Sequence, residues 1–312
     1  MKRRVIKLGT ATLVASLPSK WIKEFGIKQG DYLDVEEANS NLILSLDKEK
    51  VSKRIEIDIT NLEYRVIYKY IFAAYKKGYD EIKIIFKSSE TTDEGGKKVK
   101  TISLIQEFVQ NLMGVEIIDQ KEDYVLVKDF SKGIDLDYNQ LIKRVFSLII
   151  EMGEDTLKNI KSFDKKALES IRYRKNNVTK FLNYCIRFIN KNAQNPNNTF
   201  YAVVAEELEE ISDVYSWVPL ELSMNKAKLT DVSIKFYSKV NESLSALFDI
   251  YCIFNKENLN KANRLRNEAF EIINKSMAKV PKQDAILFCR MTAVLTLIPD
   301  IYHQLIAVNI KQ

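Results

Sequence analysis

Val5-Ile6-Lys7-Leu8-Gly9-Thr10-Ala11-Thr12-Leu13-Val14-Ala15-Ser16-Leu17-Pro18-Ser19-Lys20-Trp21-Ile22-Lys23-Glu24-Phe25-Gly26-Ile27-Lys28-Gln29-Gly30-Asp31 is the stretch on which the reading of this chain turns. Residues 5–8 and 13–17 are short apolar runs flanking a Gly9-Thr10 turn, which predicts a hairpin. Pro18 at a first helical position and Gly26 just past the end bracket one short helix holding Trp21, Ile22 and Phe25. A strand over 32–36, a turn at Asn39-Ser40 and a strand over 41–46 complete a β-turn-β-α-β-β unit. At about 45 residues, without cysteines or metal ligands to staple it, such a unit cannot bury a sufficient core alone. A second copy of the chain is the expected source of the missing core.

Charge singles out the same end. Residues 1–30 carry Lys2, Arg3, Arg4, Lys7, Lys20, Lys23 and Lys28 against Glu24 alone, so the whole net charge of +6 sits there and the remainder balances to zero. A basic end on a neutral body points to a polyanionic partner. The start Met1-Lys2-Arg3-Arg4 resembles the basic beginning of an export signal, but Lys7, Gly9 and Thr10 break the apolar run that should follow, and a cytoplasmic location is expected.

Two further zones follow, and the expected fold class is multidomain α+β. Residues 51–132 read as a small α/β linking domain in the order β-α-β-α-β-β. Arg54-Ile55-Glu56-Ile57-Asp58-Ile59 alternates with period 2, as a half-buried strand does, and a helix with an apolar stripe at Val66, Tyr70, Ala73 and Ala74 ends at Gly78. After a strand over 82–86, residues 88–100 read as a polar loop. A helix over 102–113, stopped by Gly114, and a hairpin of residues 115–118 and 124–128 complete the domain, with ferredoxin-like topology as one option.

Residues 133–312 read as an all-α bundle. Leu141, Val145, Leu148, Ile149, Met152 and Thr156 keep helical spacing, as do Val204, Leu208, Ile211, Tyr215 and Val218, and similar stripes follow from Phe236 and Ala262. Breaks near Asp164, Asn195-Pro196-Asn197 and Pro281 give six helices, arranged as two three-helix units on either side of a polar junction at 225–229. The apolar C-terminal segment 286–308 carries Arg290, Asp300 and His303, and reads as a bundle helix with no membrane insertion.

The residues that could carry chemistry are few. Cys185, Cys252 and Cys289 are scattered and odd in number, which predicts reduced, mostly buried thiols. Gly95-Gly96-Lys97-Lys98 lacks the spacing of a nucleotide phosphate loop and reads as a flexible loop. With one histidine and no activated nucleophile, nothing points to hydrolysis, and the chain is not expected to be an enzyme. Tyr215 and Trp217 read as core residues.

Two families are resembled. Lys7-Leu8-Gly9, Thr12-Leu13-Val14, Ser16-Leu17-Pro18, Trp21, Gly26-Ile27 and Gly30-Asp31 together resemble the swapped-hairpin AbrB/MazE/SpoVT DNA-binding family, over residues 1 to about 47. The resemblance implies an N-terminal swapped-hairpin β domain at 1–50 that dimerises and lays Arg3, Arg4, Lys7, Thr10, Thr12, Lys20 and Lys23 on DNA. Leu208-Glu209-Glu210-Ile211-Ser212-Asp213 resembles the repeated Leu-Glu-x-Ile-x-Asp signature of PhoU proteins, and Leu295-Thr296-Leu297-Ile298-Pro299-Asp300 repeats its frame with Thr296 at the Glu position. That resemblance spans roughly residues 138–312. It implies a PhoU-like bundle of two three-helix repeats, and a degenerate site at Glu209, Asp213 and Asp300 for a divalent or iron-type metal.

Taken together, the two resemblances resemble archaeal phosphate uptake regulators: DNA-binding transcriptional regulators, homodimeric through the first domain, with a sensory bundle that contacts a phosphate transporter or signalling protein. The competing implication is a PhoU-type signalling adaptor or metal-binding protein that acts without DNA.

Overall fold

The computed structural model describes residues 2–9, 12–38, 41–46, 52–131, 137–160, 164–192, 195–225 and 229–310. Thr10, the Asn39-Ser40 turn and most of the 225–229 junction lie outside them. The chain is a mixed α+β protein, 62% helical, in keeping with its nine Gly and five Pro. It divides into two compact units, Met1–Ser52 and Lys53–Gln312.

The first unit is built from two hairpins and a short helix. β1 (Val5–Leu8) pairs antiparallel with β2 (Thr12–Ala15), and β3 (Leu33–Ala38) pairs with β4 (Asn41–Leu46). Between them α1 (Ser19–Phe25) starts after Pro18 and stops at Gly26, whose φ of 61° is the left-handed conformation a glycine reaches without strain. None of its described residues is buried.

The second unit joins an α/β layer to a helical bundle. β5 (Arg54–Asp58), α2 (Tyr64–Lys76) and β6 (Glu81–Ile85) form a β-α-β unit whose strands are adjacent and parallel. After α3 (Thr101–Gln110), β9 (Val115–Gln120) and β10 (Tyr124–Asp129) complete an antiparallel edge in the order β5-β6-β10-β9. Adjacent parallel strands around α2 rule out the ferredoxin-like option, which would leave a strand's width between them.

Two further expectations for this layer need correction. Residues 88–100 are not a plain loop: β7 (Glu90–Thr92) and β8 (Lys98–Lys100) pair there. Asp93 Oδ1 closes the turn by accepting from the backbone N–H groups of Gly95 and Lys97 at 2.9 Å. The buried face of α2 is Ile67, Ile71, Phe72, Ala74 and Tyr75, whereas Val66, Tyr70 and Ala73 are exposed. Nearly every position of this helix is apolar or aromatic, so two stripes fit the same period and packing on the sheet selects one.

The bundle has six helices among the described residues: α4 (Tyr138–Asn159), α5 (Lys165–Lys191), α6 (Asn198–Asn225), α7 (Asp231–Cys252), α8 (Lys256–Ser276) and α9 (Lys282–Asn309). Asp137, Asp164, Thr230 and Asn255 cap four of them through their side chains, which explains where the chain enters each helix. The buried Asp284 in the first turn of α9 accepts from Thr230 and Ser233, tying the start of α7 to α9. Three of the stripes expected to be core are core, with Val145, Ile149, Met152, Leu208, Ile211, Tyr215, Phe236, Val240 and Leu244 all fully buried, whereas in the stripe from Ala262 only Ala262 and Ala269 are buried and Leu265 and Ile272 are half-buried.

The two three-helix units are unequal. α5 packs on both α4 and α6, but α8 packs chiefly on α7 and buries only Ala262 and Ala269. The segment Asp284–Asn309 is long and apolar enough to cross a membrane, with mean hydropathy 1.5, yet its Phe288, Met291, Val294, Leu295, Ile298 and Ile301 are in the bundle core. Of the cysteines only Cys185 is buried, where burial pushes its thiol up to about 12; Cys252 and Cys289 are exposed, contrary to expectation. Each ends or borders a helix face that meets solvent.

Candidate nucleic-acid interface

Strand alternation sorts the first unit into faces. In the β1–β2 hairpin Ile6 pairs with Val14, and Lys7 with Leu13. Ile6, Leu8 and Val14 therefore share one face, and Lys7 lies on the other with Val5 and Leu13. In the second hairpin Leu33 pairs with Leu46, Val35 with Leu44 and Glu37 with Leu42, so five of these six side chains make one continuous apolar face. These faces meet solvent within the single chain: Ile6 is 56% exposed, Leu8 63%, Val35 59% and Leu42 67%.

The cations assigned to DNA stand free among the described residues. Arg3 and Arg4 precede β1, Lys7 lies within it, Thr12 opens β2 opposite Leu8, and Lys20 and Lys23 lie three apart on one side of α1. All six are exposed, and among the described residues none of the five basic ones has an ion-pair partner. Thr10, the remaining member of the set, lies outside the described residues. Unpaired guanidinium and ammonium groups around a small hairpin can each displace a counterion from a phosphate chain, with no desolvation of an existing ion pair to overcome.

The three acidic candidates do not come together. Glu209 and Asp213 share one side of α6, facing α2 and α5, where lysines balance them: Lys76 Nζ lies 3.8 Å from Glu209 Oε2 and 2.9 Å from Glu206 Oε1, and Lys175 Nζ lies 2.6 Å from Asp213 Oδ1. Burial raises the Glu209 carboxyl, opposed by Lys76 and Lys175. Asp300 is exposed on α9 and faces Glu207, whose carboxyl is pushed up to about 7 by burial and then by Asp300. Among the described residues no three His, Cys, Asp or Glu side chains converge. Two carboxylates already matched by lysines do not fit a cluster of hard cations, which needs more oxygen ligands.

A polar constellation at the junction of sheet and bundle went unnoticed in the sequence. Arg187 of α5 is fully buried and donates to the Tyr75 carbonyl (2.6 Å), the Tyr79 carbonyl (2.7 Å) and Asp129 Oδ2 (2.8 Å), with its guanidinium 4.7 Å from the Tyr75 ring centre. Lys191, one turn on, reaches Asp80 (2.6 Å) and Asp129 (2.5 Å). Two cations thus cap the C-terminal end of α2, where its dipole favours positive charge. Gly78 admits this approach, since a Cβ there would lie 2.9 Å from Lys191 Cγ. An arginine inside the apolar run 181–189 was the available signal.

The fold therefore defines an α+β protein in which an exposed, basic β-rich module accompanies a well-packed α/β and helical body. No protein family, curated protein or solved structure matches the chain.

Proposed function

We propose that this chain is a DNA-binding transcriptional regulator that grips DNA as a dimer through residues 1–50, with the helical body sensing its signal. The observation that carries the reading is the first unit's combination of apolar hairpin faces without a buried residue and Arg3, Arg4, Lys7, Lys20 and Lys23, which have no ion-pair partner among the described residues. A second copy would cover Ile6, Leu8, Val14, Val35, Leu42 and Leu44, and would double the basic surface. The resemblance to the AbrB/MazE/SpoVT family supports the same arrangement, and that of residues 138–312 to PhoU proteins points to phosphate uptake as the regulated process, with a transporter or signalling protein as a further partner.

The test is an anisotropy titration of a mixed-sequence DNA duplex over a range of salt. Binding should weaken steeply with salt, by a slope of about 0.9 per phosphate neutralised. Arg3→Ala/Arg4→Ala/Lys7→Ala should bind more weakly and flatten that slope. A wild-type chain that fails to bind, or a triple variant with the parent's slope, rules the reading out.

A further inference from the structure

A cavity of about 380 Å³ opens where α2, the β7–β8 turn, α5 and α6 meet. It lies wholly within the second unit and uses none of the residues assigned to DNA. Tyr64 and Tyr68 form one wall, and they are held rigid from behind: Tyr68 stacks on Phe72 with ring centres 3.9 Å apart, and both tyrosines meet Phe108 edge-on. Trp217 contributes its indole at the mouth, 45% exposed, contrary to the expectation of a core residue. An exposed tryptophan beside a rigid aromatic wall is a platform for a flat ring.

The rim is charged in both senses. Arg65, Lys69 and Lys175 line it, with Glu94 and Asp213. Lys69 has no ion-pair partner among the described residues, and Arg65 is held only by a 3.3 Å contact to Glu94 between two exposed side chains. The cavity also meets the first turn of α2, which has no side-chain cap, so its free N–H groups add positive field. Asp213, which Lys175 already answers at 2.6 Å, and Asn176 offer oxygen acceptors on the wall of the cavity. An uncharged ring would leave Lys69 unmatched. The volume lies in the range of small-ligand sites, which favour the seams between layers.

We infer that this cavity binds a mononucleotide, its base against Tyr68 and Trp217, its phosphate at Lys69 and Arg65, and its hydroxyl or amino groups donating to Asp213. Burial, reinforced by Glu209 and Asp213, keeps the Tyr68 hydroxyl protonated and able to donate.

Calorimetric titration of the full chain with AMP, GMP, CMP, UMP, their four nucleosides and inorganic phosphate tests this. At least one mononucleotide should bind saturably, and its nucleoside and inorganic phosphate should each bind about tenfold more weakly or less well still. Lys69→Gln should weaken the nucleotide about tenfold without changing the nucleoside, while Trp217→Ala should weaken both. Lys69 is exposed and Trp217 45% exposed, and circular dichroism with a thermal melt checks that each variant folds as the parent does. Absence of binding by all four nucleotides, phosphate binding as tightly as the nucleotide, or unchanged affinity in both variants would overturn the inference.

Discussion

Residues 1–52 and residues 53–312 use the same kinds of side chain in opposite ways. In the larger unit two hydrophobic cores bury leucines, isoleucines and aromatics to within a few per cent, and many of its charges are answered: Arg187 by Asp129, Lys191 by Asp80, Lys175 by Asp213, Lys239 by Glu242 and Glu268. In the smaller unit the strands alternate just as regularly, but their apolar faces meet solvent and the cations named above stand alone. Regular secondary structure without a core of its own is what the proposed second copy would complete. On the same proposal the contrast separates the tasks, since matched charges hold a body together and unmatched ones remain available to a polyanion.

The strongest way to break this contrast is to place a charge on the smaller unit's apolar face. Leu44 is 40% exposed in the single chain, where Leu44→Asp should cost about 1 kcal/mol, the span of strand preferences. Under a shell formed by a second copy the same change puts a carboxylate into an apolar interface. We expect Leu44→Asp to halve the mass measured by analytical ultracentrifugation and to abolish DNA binding. A variant with the parent's mass and affinity would show that this face is not where the core is completed.

In the larger unit the most consequential residue is Arg187. Removing one member of a buried ion pair costs about 3–5 kcal/mol where the partner is left uncompensated; Lys191 and Ser131 still hold Asp129, so the lower end is expected here. Arg187→Ala would also strip donors from the Tyr75 and Tyr79 carbonyls. Burial by itself would raise the Asp129 carboxyl, but hydrogen bonds from Lys191, Ser131 and Arg187 outweigh it and hold it well below the usual carboxylate range. A depressed carboxyl contributes stability that is complete at neutral pH and is lost as pH falls below about 4. Urea unfolding should therefore show a large loss of stability in Arg187→Ala at neutral pH that narrows in acid. A loss under 1 kcal/mol would mean the constellation is not what joins sheet to bundle.

The two units also differ in how much of them the sequence disclosed. The bundle's helices were legible because long stripes such as Leu208-Ile211-Tyr215-Val218 admit one reading, with breaks near Asp164, Asn195-Pro196-Asn197 and Pro281. The face of α2 was not, because Ile67-Ile71-Phe72 and Val66-Tyr70-Ala73 are equally apolar and only the sheet distinguishes them. The β7–β8 hairpin escaped because three-residue strands of Glu, Thr and Lys carry no apolar period. Among candidate sites, the basic N-terminal residues were named from the resemblance to the AbrB/MazE/SpoVT family, with charge density marking the same end of the chain. Glu209 and Asp213 were legible as a pair, but their counterions Lys76 and Lys175 come from other helices, a relation that tertiary packing creates.

The smallest effect concerns Glu207, where the larger unit departs from its own rule of matched charges. Its Oε2 is buried without a hydrogen-bond partner, and burial first, then the Asp300 charge, pushes the carboxyl up to about 7. The folded chain therefore holds the proton more tightly than the unfolded one. The associated stability is fully present below the ordinary value of 4.5 and is lost as pH rises through about 7. Glu207→Gln removes the titration, so its melting temperature should match the parent's near about pH 5 and exceed it by ~2 °C near about pH 8. An equal difference at both pH values would show that the carboxyl ionises normally. Asp300→Asn should reproduce only part of the gain at the higher pH, since burial is the larger cause and remains. If instead it reproduces all of it, charge repulsion between α6 and α9 outweighs desolvation, and the exposed Asp300 reaches further into the bundle than its surface position implies.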